Sequence, residues 1–300
     1  MALDVGIVGP PGSGKTTLFT ALTGVVPEGY GTPHVGIASI PDERLPALAE
    51  VVGSAKQTPA TIRLIDVPGT AAAQLGGVRR SDALLAVVRD EADLEGLELE
   101  LLVADRDHVE RRLERVRKEA KSGDSELRAQ VVALESLLAH IDEERPVRDW
   151  PGELPNELEP LTALPLIPIV NGPGGVDLRL EAELRELPEA EAAQFRDGGT
   201  SALEDVVRRL AGVLDLVVFF TVGENEARAW TLRRGRSALE AAEAIHSDIA
   251  RGFIRCEVIR WNDLVETGSH VEAAKRGLQR LEGKAYVVQD GDVLNIRFNV

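Results

Sequence analysis

Leu3-Asp4-Val5-Gly6-Ile7-Val8 runs into Gly9-Pro10-Pro11-Gly12-Ser13-Gly14-Lys15-Thr16-Thr17, and this junction decides the fold. Its second half fits G-x-x-x-x-G-K-[ST]; it leaves an apolar strand and enters Leu18-Phe19-Thr20-Ala21-Leu22, closed by Gly24. Glycines let successive N–H groups turn inward as an anion nest, and the helix that follows aims its positive end at the same point. Gly9, Pro10, Pro11, Gly12, Ser13, Gly14, Lys15, Thr16 and Thr17 therefore form a candidate nucleotide-phosphate cradle. Lys15 is expected to reach the outer phosphates, where it also serves catalysis, and the Thr16 hydroxyl is a candidate Mg²⁺ ligand.

Outward from the loop, Thr61-Ile62-Arg63-Leu64-Ile65 alternates like a strand and ends in Asp66-Val67-Pro68-Gly69. An Asp delivered to a phosphate site holds Mg²⁺ through water, and the Gly69 N–H is placed to sense a γ-phosphate. Thr70 takes the place at which Ras-like GTPases carry the glutamine that orients the attacking water, so hydrolysis here is slow or uses another group. Between the two motifs, Val25 to His34 is a Gly/Pro-rich connector. Thr32 within it is a candidate for the magnesium shell, or equally a turn residue before Pro33.

Further strands are expected at Val35–Ile40, at Ala83–Val88 and at Pro165–Val170, the last two being continuous apolar runs suited to a parallel sheet. Between them Val109, Leu113, Val116 and Ala120, then Leu127, Val131, Leu134, Leu138 and Ile141, recur at helical spacing. Ser122-Gly123-Asp124 breaks the run, with Asp124 as cap of the second helix, and Asp107/Arg111 and Glu114/Lys118 stand as i,i+4 pairs. An antiparallel helical hairpin inserted into an α/β domain follows. From Asp215 the pattern turns to β: strands at Leu216–Thr221, Ala227–Leu232, Phe253–Ile259, Tyr286–Val288 and Val293–Phe298, with a helix opened by the capping box Ser237-x-x-Glu240 and closed at His246. His246 reads as a structural histidine whose positive form suits a helix C-terminus.

The 300 residues carry a formal net charge of −16. Residues 210–300 hold 12 Lys/Arg against 13 Asp/Glu, which leaves 22 against 37, net −15, on the first 209. Binding nucleic acid over the whole surface is excluded, because it needs cations to displace counterions. Any RNA contact falls in the C-terminal part, where Arg228, Arg233, Arg234 and Arg236 surround Trp230; the other reading is a solvated turn around a buried tryptophan. No apolar run is long enough to span a membrane and the N-terminus has no leader pattern, so a cytoplasmic protein is expected. Cys256 stands alone, which excludes an internal disulfide and gives no zinc signal.

The order of parts resembles the YchF family, the Obg-like ATPases of the P-loop class. The resemblance rests on Phe219 to Thr231, on Ile245 to Arg255, on Leu281 to Lys284 with Arg297 to Val300, on the hairpin from Val109 to Leu138, and on Pro41-Asp42-Glu43-Arg44-Leu45. It implies a P-loop NTPase sheet of the G-domain kind with helices on both faces, over residues 1–96 and 160–209. A helical hairpin over 97–148, a linker over 149–159 and an α+β ubiquitin-like (TGS) domain over 210–300 complete the expected plan. It further implies ATP with Mg²⁺, GTP being the alternative, and a partner among ribosomes or RNA. Family members read the base with an N-x-x-E-like motif; here the matching stretch is Asn171-Gly172-Pro173-Gly174, with no acid in fourth place. Asp177 is the nearest replacement. The first switch, where Tyr30 lies nearest the family's threonine, and the second, Thr70 to Arg80, are both short. Two functions stay open: a slow Mg²⁺-dependent ATPase acting as a translation-associated switch, and a non-hydrolysing adaptor working through its hairpin and C-terminal domain.

Overall fold

The computed structural model describes residues 3–27, 29, 31–69, 72–122, 124–155, 157–196 and 201–299. Its first compact unit comprises Leu3–Ala38 and Arg63–Val206. The chain begins with β1 (Asp4–Val8) and α1 (Lys15–Thr23), continues through β2 (His34–Ile40), α2 (Arg44–Val52), β3 (Gln57–Thr58) and β4 (Ala60–Asp66), and then forms α3 (Ala72–Leu75) and β5 (Ala83–Val88). The arm α4 (Glu91–Glu119) and α5 (Ser125–Asp142) precedes β6 (Leu166–Val170), α6 (Leu178–Leu184), α7 (Glu189–Phe195) and α8 (Ala202–Val213). The sheet order is β2-β4-β1-β5-β6, with β1 parallel to both β4 and β5, and β5 parallel to β6. β5 is buried at all six positions, as its uninterrupted apolar run requires.

Asp124 caps α5 as expected, its carboxylate accepting from the N–H groups of Glu126 and Leu127. The two expected i,i+4 pairs give way to other contacts: Arg111 donates to the Asp107 carbonyl, an i,i+4 pair forms instead at Arg106–Glu110 (3.1 Å), and two ion pairs cross between the helices, at Arg117–Glu135 (2.6 Å) and Arg106–Asp142 (2.8 Å). Antiparallel packing brings these longer side chains together, and their exposure limits each to under about 1 kcal/mol. The arm is held chiefly by Leu102, Val109, Leu113, Val116, Leu134, Leu137 and Ile141, all buried.

The second unit comprises Ser39–Ile62 and the chain from Val207 onward. It holds β7 (Leu216–Val222), β8 (Ala227–Arg233), α9 (Ala238–Ile245), α10 (Ser247–Arg251), β9 (Phe253–Arg260), α11 (Trp261–Thr267), α12 (His270–Lys275), β10 (Arg280–Glu282) and β11 (Asp292–Phe298), in a sheet of order β10-β9-β11-β7-β8-β3. Residues 39–62 enter this unit because β3 pairs in parallel with β8, Ser54 donates to the Gly223 carbonyl (2.7 Å), and Arg44 pairs with Asp290 (2.7 Å). Tyr286–Val288 forms no strand: Val287 makes a single bridge to Ser237, and the ladder goes instead to β10. The α9 capping box is present. His246, however, accepts the Asp248 N–H at Nδ1 (3.1 Å), so the ring caps the start of α10 as well as ending α9.

One buried ion pair ties the root of the arm to the segment after Asp66-Val67-Pro68-Gly69. Arg79 donates to Asp105 (2.6 Å) and to the Ala104 carbonyl (2.9 Å), and Asp105 also accepts from the N–H groups of Leu161 and Thr162 and from the Thr162 hydroxyl, each at 2.8 Å. Asp105 is wholly buried and both its oxygens are satisfied. Removing one partner of such a group leaves the other charge uncompensated, at a cost of about 3–5 kcal/mol. Asp105→Ala is therefore expected to lower unfolding stability by about that amount in urea titration; a loss below about 1 kcal/mol, the range of an exposed pair, would show that the pair does not hold the arm's root.

Candidate phosphate site

The loop between β1 and α1 curls through Gly9 (φ 151°), Gly12 (φ 77°) and Gly14 (φ 107°), a run of left-handed conformations that residues with side chains rarely adopt. A Cβ on Gly9 would meet the Val87 carbonyl at 2.2 Å, and one on Gly14 would meet the Asn171 amide nitrogen at 2.5 Å. Both glycines are thus fixed by close approach as well as by φ. Lys15 folds over the loop, donating from Nζ to the carbonyls of Gly9 (2.8 Å) and Pro10 (3.1 Å). The hydroxyl of Ser13 is buried with no hydrogen-bond partner. Pro10, Pro11, Gly12 and Thr17 complete the rim, while Thr16 lies toward solvent at the start of α1.

Parallel pairing of β1 and β4 sets Asp66 beside Ile7, and so at the mouth of the loop. The Thr16 hydroxyl donates to Asp66 Oδ2 (2.9 Å), and Asp66 Oδ1 is buried without a partner. Burial pushes the Asp66 carboxyl above its ordinary range, against the opposing pull of the Thr16 hydrogen bond and the charges of Lys15 and His34. Burial likewise lowers Lys15, and the carboxylates of Asp66 and Glu100 partly restore it. His34, at the start of β2, and Glu100, on α4, are thus ionisable neighbours that sequence reasoning did not single out; no local motif marks either.

These features fit a phosphate chain with a divalent cation. An orphaned carboxylate oxygen beside a hydroxyl is a hard-oxygen donor pair of the kind Mg²⁺ takes. An orphaned hydroxyl, loop N–H groups and a desolvated ammonium suit phosphate oxygens. Thr32 lies in an exposed bend before β2 and touches none of this group. Thr70 lies outside the described residues. Gly69 is half-buried, and its nearest side chain is that of Gln74 on α3.

After β6 the chain turns back at once. Asn171 bridges Val176, the Gly175 N–H donates to the Gly172 carbonyl (3.0 Å), and the Val176 N–H donates to the Val170 carbonyl (2.8 Å). A Cβ on Gly175 would stand 2.1 Å from that Val170 oxygen, so the turn needs glycine there. The Asn171 amide braces the loop, Nδ2 donating to the Ser13 carbonyl (2.8 Å) while Oδ1 accepts the Leu178 N–H at 3.4 Å. Asp177 caps α6 through the Leu180 N–H, which accounts for its carboxylate locally. In the second unit, Arg234 and Arg236 pair with Asp215 and Glu240, each at 2.7 Å. Arg228 lies over the Trp230 ring at 4.1 Å and covers the face that would act as a bare stacking platform; Arg233 is exposed. The Cys256 thiol is buried in the core and pushed up to about 12, so it is inert.

Residues 4–135 match the family described as 50S ribosome-binding GTPase, and residues 216–299 match YchF-GTPase_C, described as a protein of unknown function (DUF933). The chain is 34% identical over 366 positions to the "Ribosome-binding ATPase YchF" of Bacillus subtilis (strain 168), with all of both chains covered. It is 31% identical over 363 positions to the protein of that name from Escherichia coli O157:H7, again over the whole of both. The solved "Structure of the Schizosaccharomyces pombe YchF GTPase" superimposes with a TM-score of 0.81 at 27% identity, covering 98% of this chain and 97% of that one. An alignment of 366 positions against 300 residues leaves 66 positions of the Bacillus alignment with no counterpart here. With identity above 30% sustained from end to end, and the same phosphate loop, helical arm and C-terminal sheet, this chain belongs to the YchF family.

Proposed function

We propose that this protein is a Mg²⁺-dependent P-loop NTPase that hydrolyses ATP slowly and uses its nucleotide state to regulate attachment to the ribosome. The observation that carries the reading is the pair of orphaned buried oxygens, Ser13 Oγ and Asp66 Oδ1, beside a desolvated Lys15. Lys15 and the loop N–H groups hold the outer phosphates, Thr16 and Asp66 hold the cation, and the Gly69 N–H reports the γ-phosphate. The cation neutralises charge that develops during transfer. The relatives named ribosome-binding ATPases support both the nucleotide and the partner.

Discrimination against GTP is weak in this reading. A carboxylate pairs with guanine's two donors; Asn171 is an amide engaged with the loop, and Asp177 is drawn into capping α6 through Oδ1. Calorimetry of ATP and GTP with Mg²⁺ tests the assignment. ATP is expected to bind at micromolar Kd, GTP within about tenfold of it, and Lys15→Ala to lose both. No binding of either would leave the adaptor reading.

The raised Asp66 carboxyl gives a second expectation. A carboxylate raised by burial destabilises the fold wherever it is ionised in the folded state, and the penalty fades as pH falls toward the ordinary value of 3.8, where both states hold the proton. Asp66→Asn is therefore expected to stabilise the nucleotide-free protein at neutral pH, with the gain shrinking in acid, while Mg²⁺-dependent nucleotide binding is lost. Thermal melts across pH, with and without Mg²⁺·ATP, read both; a destabilised variant at neutral pH contradicts the burial account.

For the ribosome, the C-terminal unit is the side on which acidic charge is balanced. Arg228 is the arginine of the cluster that rests on an aromatic ring, and the carboxylate that acts on it, Glu226, does so through its charge and not through a salt bridge among the described residues. In co-sedimentation with ribosomes, Arg228→Ala is expected to weaken binding and Arg234→Ala to change it little, since Arg234 already has Asp215. Equal effects would reject this division of roles.

A further inference from the structure

Resting on the hydrolytic reading above, we infer that Gln74, on α3, orients the attacking water in place of a glutamine directly after Gly69. A Cβ built on Gly69 would stand 2.2 Å from Gln74 Oε1, 3.2 Å from its Cδ and 3.5 Å from its Nε2, so the amide directs its oxygen at the residue whose N–H this reading sets toward the γ-phosphate. Gln74 is half-buried, and neither end of its amide has a hydrogen-bond partner among the described residues. This leaves an acceptor and a donor available at the turn that closes the phosphate site.

Water attack needs that combination. Oε1 accepts one O–H of the water and Nε2 donates to a γ-phosphate oxygen, which fixes the water's lone pair toward phosphorus. The water oxygen bonds to the γ-phosphorus, the bond from that phosphorus to the β–γ bridging oxygen breaks with its electron pair leaving on the diphosphate, and the water's proton passes to the released phosphate. The glutamine neither gains nor loses a proton. Because Gln74 reaches Gly69 from the first turn of a helix and not from the adjacent residue, its placement depends on Gly69 having no side chain.

Single-turnover hydrolysis of ATP with Mg²⁺, alongside nucleotide affinity, tests this on the full chain. Gln74→Ala is expected to slow the chemical step by about 10²-fold, the cost of mispositioning a reacting group, with ATP affinity unchanged. Gly69→Ala, whose methyl displaces the amide, is expected to give a comparable loss, and the double variant no further loss, as coupled groups require. Binding of ADP with aluminium fluoride is expected to fail in Gln74→Ala while ADP alone still binds. If Gln74→Ala turns over at the wild-type rate, or if Glu100→Gln abolishes turnover while Gln74→Ala does not, the assignment is overturned and the ATPase reading stands. If the wild type binds ATP and does not hydrolyse it, both fall.

Discussion

Lys15 and Asp66 bring opposite charges to one spot where burial disfavours each of them. Everything around the phosphate loop is arranged to keep them there. β1 and β4 are parallel and in a register that sets Asp66 beside Ile7, so the carboxylate and the loop leave the sheet together. The three left-handed glycines turn the backbone so that Lys15 can lie over it, and the Thr16 hydroxyl ties the start of α1 to Asp66. An ammonium resting on two carbonyls and a carboxylate with one idle oxygen are poorly compensated in the bare protein. A ligand with phosphate oxygens and a divalent cation supplies what each lacks, and that difference between the two states is the free energy available to a nucleotide switch.

Beside that spot the chain is short. The turn after β6 closes within a few residues, and the asparagine at its start is drawn into bracing Ser13. The base-facing side thus contributes to loop stability, while the phosphate-facing side keeps its full complement of Lys15, Thr16 and Asp66.

The parts legible in the sequence were those with a local cause. The phosphate loop, the apolar strands and the arm's helical period each write their own signal, and Asp124 and the Ser237/Glu240 box mark helix starts by chemistry that acts within a few residues. What stayed hidden depends on distant parts of the chain. Asp105 reads as one more acid on a charged helix until Arg79, Leu161 and Thr162 converge on it. Residues 39–62 read as part of the first sheet until β3 finds β8. Tyr286–Val288 has the composition of a strand, yet its pairing among the described residues is the single bridge from Val287 to Ser237. α11 and α12 have no strong apolar period, because they are short and only half covered.

The arm and the nucleotide site meet in the same way, through a residue that sequence pattern does not mark. Arg79 follows closely on Gly69 and Gln74, and its guanidinium is locked into Asp105 at the arm's root. In the reading proposed above, the segment that senses the γ-phosphate at Gly69 is anchored at Arg79 to a buried, fully satisfied pair. Such a pair resists gradual deformation, because any half-made arrangement strands a charge away from water. If nucleotide shifts Gly69, that shift is either absorbed between Gly69 and Arg79 or passed to the arm's root as a unit. The shortness of that stretch, which counts against a large switch, is also what makes the second outcome mechanically available: a connector this brief has few residues in which to absorb a change at Gly69 before it reaches Arg79.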